Sequence, residues 1–129
     1  MEISLNNVEA RILGVLIEKE MTTPNYYPLT LNALVNACNQ KTNRDPVMDL
    51  DEVTVSEALA RMRTDRLVWQ VKTQGSRALK YEHNMKDLTS LSNRSLALLC
   101  ELLLRGPQTA GELRTRTGRM TDSMDFYNA

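Results

Sequence analysis

Only one histidine, two cysteines, one tryptophan and one phenylalanine occur among the 129 residues of this chain, and aromatic residues make up 5% of it. Each shortage excludes something. The lone His83 cannot complete a zinc site with Cys38 or Cys100, because neither cysteine has a histidine at ligand spacing. The two thiols sit inside apolar helical patterns, where they read as reduced, buried, small hydrophobes rather than a disulfide. No glycine-rich phosphate loop and no nucleophile elbow occur. The sequence therefore points to no enzyme, no cofactor and no metal site, and no small-molecule ligand is evident. With so few aromatics, Leu, Val, Ile, Ala and Met must build the core, and a hydrophobic fraction of 42% suffices for one.

Long apolar runs and a surplus of either charge are missing too. No stretch reaches the roughly 18 apolar residues that a membrane span needs. The start of the chain carries Glu2, Glu9, Arg11, Glu18, Lys19 and Glu20 instead of the basic flank and apolar centre of a signal peptide. These features lead to the expectation of a cytoplasmic protein. Sixteen basic residues balance sixteen acidic ones, so the net charge is zero. The positive surplus with which a nucleic-acid binder neutralises phosphates must then be local.

What is present is a succession of helical patterns. Ser4 or Asn6 can cap a first helix, whose apolar face is built from Val8, Ile12, Leu13, Leu16 and Ile17. Arg11 and Glu18 fall on the opposite side, and Glu9 lies in the first turn, where a carboxylate suits the helix dipole. The segment from Thr22 to Pro28, with two prolines, stops that helix. Thr30 can cap a second, with Leu31, Leu34, Val35 and Cys38 as its buried stripe. Asn39 to Pro46 is polar and reads as a loop. The spacing of Thr54 and Glu57 predicts a capping box opening a third helix, Asp49 with Glu52 being an alternative start for a short earlier turn. Val55, Leu59 and Met62 then face inward.

After Arg66 the period changes. Residues 67–72 and 77–83 read as two strands around the turn Thr73-Gln74-Gly75-Ser76. Three helices and a β-hairpin give the order of a winged helix-turn-helix. A second apolar helix pattern follows at Leu96–Leu104, is broken at Gly106-Pro107, and leads into Pro107-Gln108-Thr109-Ala110-Gly111-Glu112-Leu113. That string echoes Pro28-Leu29-Thr30-Leu31-Asn32-Ala33-Leu34, so helix, proline stop, threonine cap and helix recur. The fold class expected is mainly α with a small antiparallel hairpin (α+β). A complete winged-helix domain would occupy residues 1–85, and 86–129 would hold the opening two helices and tail of an incomplete second one.

Several long strings carry a family resemblance. They include Glu9-Ala10-Arg11-Ile12-Leu13-Gly14-Val15-Leu16-Ile17-Glu18-Lys19, Tyr27-Pro28-Leu29-Thr30-Leu31-Asn32-Ala33-Leu34, Ala37-Cys38-Asn39-Gln40-Lys41, Asn43-Arg44-Asp45-Pro46-Val47, Lys80-Tyr81-Glu82-His83 and Leu104-Arg105-Gly106-Pro107-Gln108-Thr109. Over roughly residues 5 to 117 the chain resembles the YceH-like family of bacterial proteins of unknown function. The resemblance implies two tandem winged-helix domains and supplies no activity. It also implies a second recognition helix and wing, which the stretch from Gly118 to Ala129 does not carry.

Function is sought first on the third helix, since a DNA-reading winged helix lays it in the major groove. Ser56, Glu57, Ala60, Arg61 and Thr64 would be exposed there, with Arg63 near the backbone. Between Lys41 and Arg66, however, five basic residues (Lys41, Arg44, Arg61, Arg63, Arg66) meet six acidic ones (Asp45, Asp49, Asp51, Glu52, Glu57, Asp65). The acids crowd the end that would approach phosphate. The wing is more favourable, with Lys72, Arg77 and Lys80 against Glu82. The amide-rich loop Asn39–Asp45 and the basic run Arg114, Arg116, Arg119 are weaker candidates, each with an ordinary structural reading beside the functional one. Two functions stay open: a DNA-binding, regulator-like module on double-stranded DNA, or a protein-interaction module that kept the shape. The apolar helix at 96–104 further leads to the expectation of a homodimer through Leu96, Leu99, Leu103 and Leu113.

Overall fold

The computed structural model describes residues 3–120. Helix α1 (Asn7–Thr22) runs through the middle of the core. Asn6, not Ser4, is its cap: the Asn6 side chain accepts from the Glu9 N–H at 2.8 Å, and Glu9 Oε1 accepts from the Asn6 N–H at 3.0 Å. Helix α2 (Leu31–Cys38) is capped by Thr30, which accepts from the Ala33 N–H. Helix α3 (Glu52–Thr64) opens earlier than the Thr54–Glu57 spacing predicts, because Asp51 caps it and accepts from the Thr54 N–H at 2.7 Å. The cause lies upstream. Asn39 holds Leu50 in both directions, donating to its carbonyl at 2.8 Å and accepting from its N–H at 2.7 Å. The chain is thereby fixed one residue before the cap.

Helix α3 ends in a Schellman closure. The Leu67 N–H returns to the Met62 carbonyl and the Arg66 N–H to Arg63, with Arg66 left-handed at φ +62°. Strands β2 (Val68–Lys72) and β3 (Leu79–His83) follow as an antiparallel hairpin, in register from Val68 opposite His83 to Lys72 opposite Leu79. A third strand, β1 (Leu29–Thr30), escapes the sequence pattern because it is two residues long; it pairs with β3 through Leu29–Tyr81 and Thr30–Lys80. The sheet order β1-β3-β2 leaves β2 at an edge. The result is mostly helical with a small antiparallel sheet, a winged-helix-like α+β arrangement. After the short helix α4 (Met85–Leu88) come α5 (Asn93–Arg105), capped by Ser92, and α6 (Ala110–Met120), opened by reciprocal bonds between Thr109 and Glu112. The reading of the last residues as a tail concerns positions 121–129, which lie outside the described residues.

Helix α5 packs closely along α1 and shares its core. A Cβ on Gly14 would lie 2.8 Å from Leu104 Cδ2, so glycine is what lets the two helices meet. The Cys100 thiol donates to the Gly14 carbonyl across the same contact. Leu96, Ala97, Cys100 and Leu104 join Ile12, Leu13, Val15, Leu16 and Ile17 of α1 and Val55, Ala58, Leu59 and Met62 of α3 in one buried cluster.

Because α1 is covered on nearly all sides, Arg11 and Glu18 are buried instead of lying on an outer face, Arg11 being 1% exposed. Both serve the loop between α2 and α3. Glu18 receives a two-pronged pair from Arg44, whose Nη2 lies 2.7 Å from Oε1 and whose Nη1 lies 3.0 Å from Oε2. Arg44 Nε donates to the Ala37 carbonyl, and Arg11 donates to those of Cys38 and Pro46. Two guanidinium groups thus satisfy the open carbonyls at the end of α2, where a cation also suits the helix dipole. Asn43, at φ +55°, donates from Nδ2 to Glu18 Oε2 and to Glu101 Oε1 on α5. Burial alone would push the Glu18 carboxyl up, but the bonds and charge of Arg44, with Asn43 and Lys19 behind them, hold it below the ordinary carboxylate range. Burial and then the neighbouring Glu18 push Glu101 the other way, despite its bond from Asn43.

Gly14→Ala should destabilise the protein by about 1–3 kcal/mol, the usual cost of overpacking a close contact. A denaturant titration showing no loss would mean that α5 does not sit this near α1. Arg44→Met strands a buried carboxylate and should cost about 3–5 kcal/mol at neutral pH, whereas Arg44→Met combined with Glu18→Leu should recover a large part of that loss. The folded-state pKa of Glu18 is depressed, so its stabilisation is present above the unfolded value of about 4.3 and is lost as the pH falls below it. The deficit of Arg44→Met should accordingly shrink in acid. Equal losses for the single and double variants at both pH values would contradict the pairing.

Candidate nucleic-acid interface

The outer side of α3 is polar at its surface and divided along its length. Glu52, Ser56, Glu57, Ala60, Arg61, Arg63 and Thr64 are exposed. The acids Asp51, Glu52 and Glu57 lie in the first half, and Arg61, Arg63 and Arg66 in the second half and its closure, with the exposed Asp65 among them. Arg61 leans on Glu9 of α1, with Nε 3.8 Å from Oε2, which leaves it only loosely engaged. Asp51 is held below its ordinary pKa by the bonds from Thr54, so the helix start is firmly anionic. Between the start of α2 and the first two turns of α3 lies a shallow depression of about 270 Å³, lined by Leu31, Glu52, Val53, Ser56 and Glu57. Ser56 thus faces a site with acidic neighbours.

The wing differs in charge. Register places Trp69 opposite Glu82 and Val71 opposite Lys80 on one face, and Gln70 opposite Tyr81 on the other. Lys72 and Arg77 are exposed near the turn, where Gly75 supplies φ +81°, and Lys80 is half-buried beside Thr30 of β1. Among the described residues none of Arg63, Arg66, Lys72, Arg77 and Lys80 has an acidic partner within ion-pair distance. The structure therefore brings Lys72, Arg77 and Lys80 together on one hairpin and sets Arg61 and Arg63 on the basic half of α3. Exposed apolar side chains lie on the same elements: Val53 on α3 is 65% exposed, and Trp69 and Leu79 on the hairpin are 42% and 44% exposed. The sequence pattern gives none of the three a functional reading.

The other candidates resolve differently. The amides of the loop are taken up internally: Asn39 by Leu50, Gln40 by Thr42 and Lys19, and Asn43 by the two glutamates. Arg116 bonds Gln108 and pairs with Glu112, while Arg114 and Arg119 are exposed on α6. His83 is buried with both ring nitrogens engaged. Nε2 lies 2.8 Å from Glu20 Oε1, and Nδ1 accepts from the Met85 N–H. The His83 N–H donates to the Tyr27 hydroxyl at 2.8 Å. The bond to His83 holds the Glu20 carboxyl down, and burial pushes the Tyr27 hydroxyl up. Burial likewise pushes the Cys38 thiol up to about 12 and Cys100 well above its usual value. Among the described residues no three of His, Cys, Asp and Glu are placed to hold a metal ion, and no helix is long and apolar enough to cross a membrane.

On α5, Leu96 is fully buried within the chain's own core. Leu99, Leu103 and Leu113 are half-buried, and Leu102 is the exposed leucine of that helix.

Comparison with known proteins places this arrangement in a family. Residues 5–128 match the family described as "Protein of unknown function, DUF480". A "UPF0502 protein" of Pelobacter propionicus is 59% identical over 126 residues, covering 98% of this chain and 57% of its own length. Relatives of the same name from Koribacter versatilis and from a Shewanella species are 58% and 52% identical, covering 93% and 97% of this chain. The chain spans a little over half the length of these curated relatives, 56–57%. The chain belongs to the DUF480 family, whose bacterial members carry the UPF0502 name.

Proposed function

We propose that this chain is a winged-helix unit of a cytoplasmic, DNA-binding, regulator-like protein, and that it holds duplex DNA mainly by the phosphate backbone. The observation that carries this reading is the set of cations at one end of α3 and along the hairpin that have no ion-pair partner among the described residues: Arg63, Arg66, Lys72, Arg77 and Lys80. Unpaired, hydrated cations are the groups that displace counterions from DNA. Asp51, Glu52 and Glu57 work against deep entry of the first half of α3 into a groove, so phosphate positioning outweighs base reading in this proposal. A tandem arrangement, as in the YceH-like proteins that the chain resembles, is supported by the recurrence of a threonine cap after a proline, Thr30 before α2 and Thr109 before α6.

A second reading, a protein-interaction module, is favoured by the exposed Val53 and Trp69. A homodimer belongs to either reading, although the burial of Leu96 weakens the case for α5 as its seam.

Binding to a mixed-sequence duplex should be measurable at low salt and should fall steeply as salt rises. Replacing Lys72, Arg77 and Lys80 together by alanine should lower the slope of log affinity against log salt by about three units, one for each phosphate contact. Undetectable binding at about 50 mM salt, or an unchanged slope in the triple variant, would favour the protein-interaction reading.

A further inference from the structure

Two surfaces of this chain complement each other. The depression between α2 and α3 has an apolar floor from Leu31 and the exposed Val53, and an acidic rim from Glu52 and Glu57. Asp49 and Asp51 extend that negative charge along the chain entering α3. Among the described residues no cation pairs with Asp49, Asp51, Glu52 or Glu57. At about 270 Å³ the depression is shallow and smaller than most small-molecule pockets, but it suits a side chain or two presented by another protein.

The wing has the opposite character. Lys72 stands directly across from Leu79 at the end of the hairpin, so a cation and a side chain 44% exposed lie next to each other. Arg77 is exposed in the turn, Lys80 follows, and the chain's only tryptophan, Trp69, is on the open edge strand. Arginine and tryptophan are the residue types that most often anchor interfaces. The zero net charge of the chain thus conceals an acidic, apolar groove and a basic, apolar hairpin.

We propose that the α2–α3 depression docks the wing of a second copy of this chain, with Leu79 at the hairpin end seated on Val53 and Leu31, Lys72 beside it on the same face, and Arg77 and Lys80 flanking it, the three cations set against Glu52, Glu57, Asp49 and Asp51. A two-fold axis lets each copy give its wing and receive the other's, which closes the assembly as a dimer instead of a filament. Charge complementarity of this kind sets partner and register. The inference goes beyond the DNA reading and does not require it; where both hold, duplex DNA and the second copy compete for the same wing.

The test is sedimentation of the full chain over a concentration series, without DNA, at two salt concentrations. The wild type should dimerise, and its apparent Kd should rise about tenfold or more between 50 and 500 mM salt as the charges are screened. Glu52→Lys with Glu57→Lys should abolish the dimer, and so should Lys72→Glu with Arg77→Glu and Lys80→Glu. Mixing these two variants should restore a one-to-one dimer, since each reversed surface then meets an opposite charge. Thermal melts of each variant check that it is folded, and if either is not, Glu57→Gln and Lys72→Gln are read instead, each weakening the wild-type dimer. A monomer at every concentration, a dimer that ignores both reversals, or reversed variants that stay apart when mixed would overturn the proposal. Capture of a basic peptide by the depression with no self-association would overturn it as well. The groove reversal also separates this inference from the DNA reading: it should remove the dimer while leaving DNA affinity undiminished, whereas loss of DNA binding alone leaves the dimer standing.

Discussion

The bidentate pair between Glu18 and Arg44 is the interaction around which the other contacts are arranged. It joins the C-terminal half of the central helix to the loop between α2 and α3. From Arg44 the bonds run to the end of α2, and from Glu18 through Asn43 to Glu101 of α5. Arg11 repeats the arrangement one side over, holding the Cys38 and Pro46 carbonyls. A buried ion pair is seldom a large net source of stability, because desolvation offsets much of its attraction. Its effect here is positional. It leaves these partners one shared geometry, which aligns α2, α3 and α5 on α1, while among the described residues Arg11 Nε and Glu101 Oε2 stay buried without a hydrogen bond.

Position is what the surface then uses. With the loop pinned, Asn39 can hold Leu50, and Asp51 starts α3 at a fixed point. The acidic first half of α3 is thereby set beside Leu31 of α2, which makes the depression, and the basic second half runs into the hairpin. The separation of the two charges on an overall neutral chain follows from where the helix begins. A helix opening at Thr54, as its capping-box spacing suggests, would leave Glu52 and Val53 in the loop and dissolve the groove.

The sequence carried the helices, the hairpin and its turn, because their signals are local: apolar spacing, caps, proline stops and a change of period between Arg66 and Val68. It also carried the threonine caps at Thr30 and Thr109, and the wing as the basic element. Burial on every side of a helix is not local. Arg11 and Glu18 read as outward residues because one apolar stripe accounts for α1 as long as a single neighbour is assumed, and the carbonyls that meet Arg11 and the guanidinium that meets Glu18 are 26 and more residues away. Gly14 gave no signal of its own, since a glycine at a helix crossing and a tolerated glycine look alike until the second helix is placed. For the same reason neither the burial of Leu96 in the chain's own core nor the exposure of Val53 has a local signal.

Whether the Glu18–Arg44–Asn43–Glu101 network makes α1, α3 and α5 one cooperative unit is open to direct measurement by native-state hydrogen exchange. If it does, the slowest amides of α5, around Cys100, and of α3, around Leu59, should exchange through the same opening as those of α1 around Leu16, with opening free energies that agree within about 1 kcal/mol. Amides of α5 that open separately, at a free energy lower by about 2 kcal/mol or more, would contradict the account and would mean that the network joins a mobile helix to an independent core.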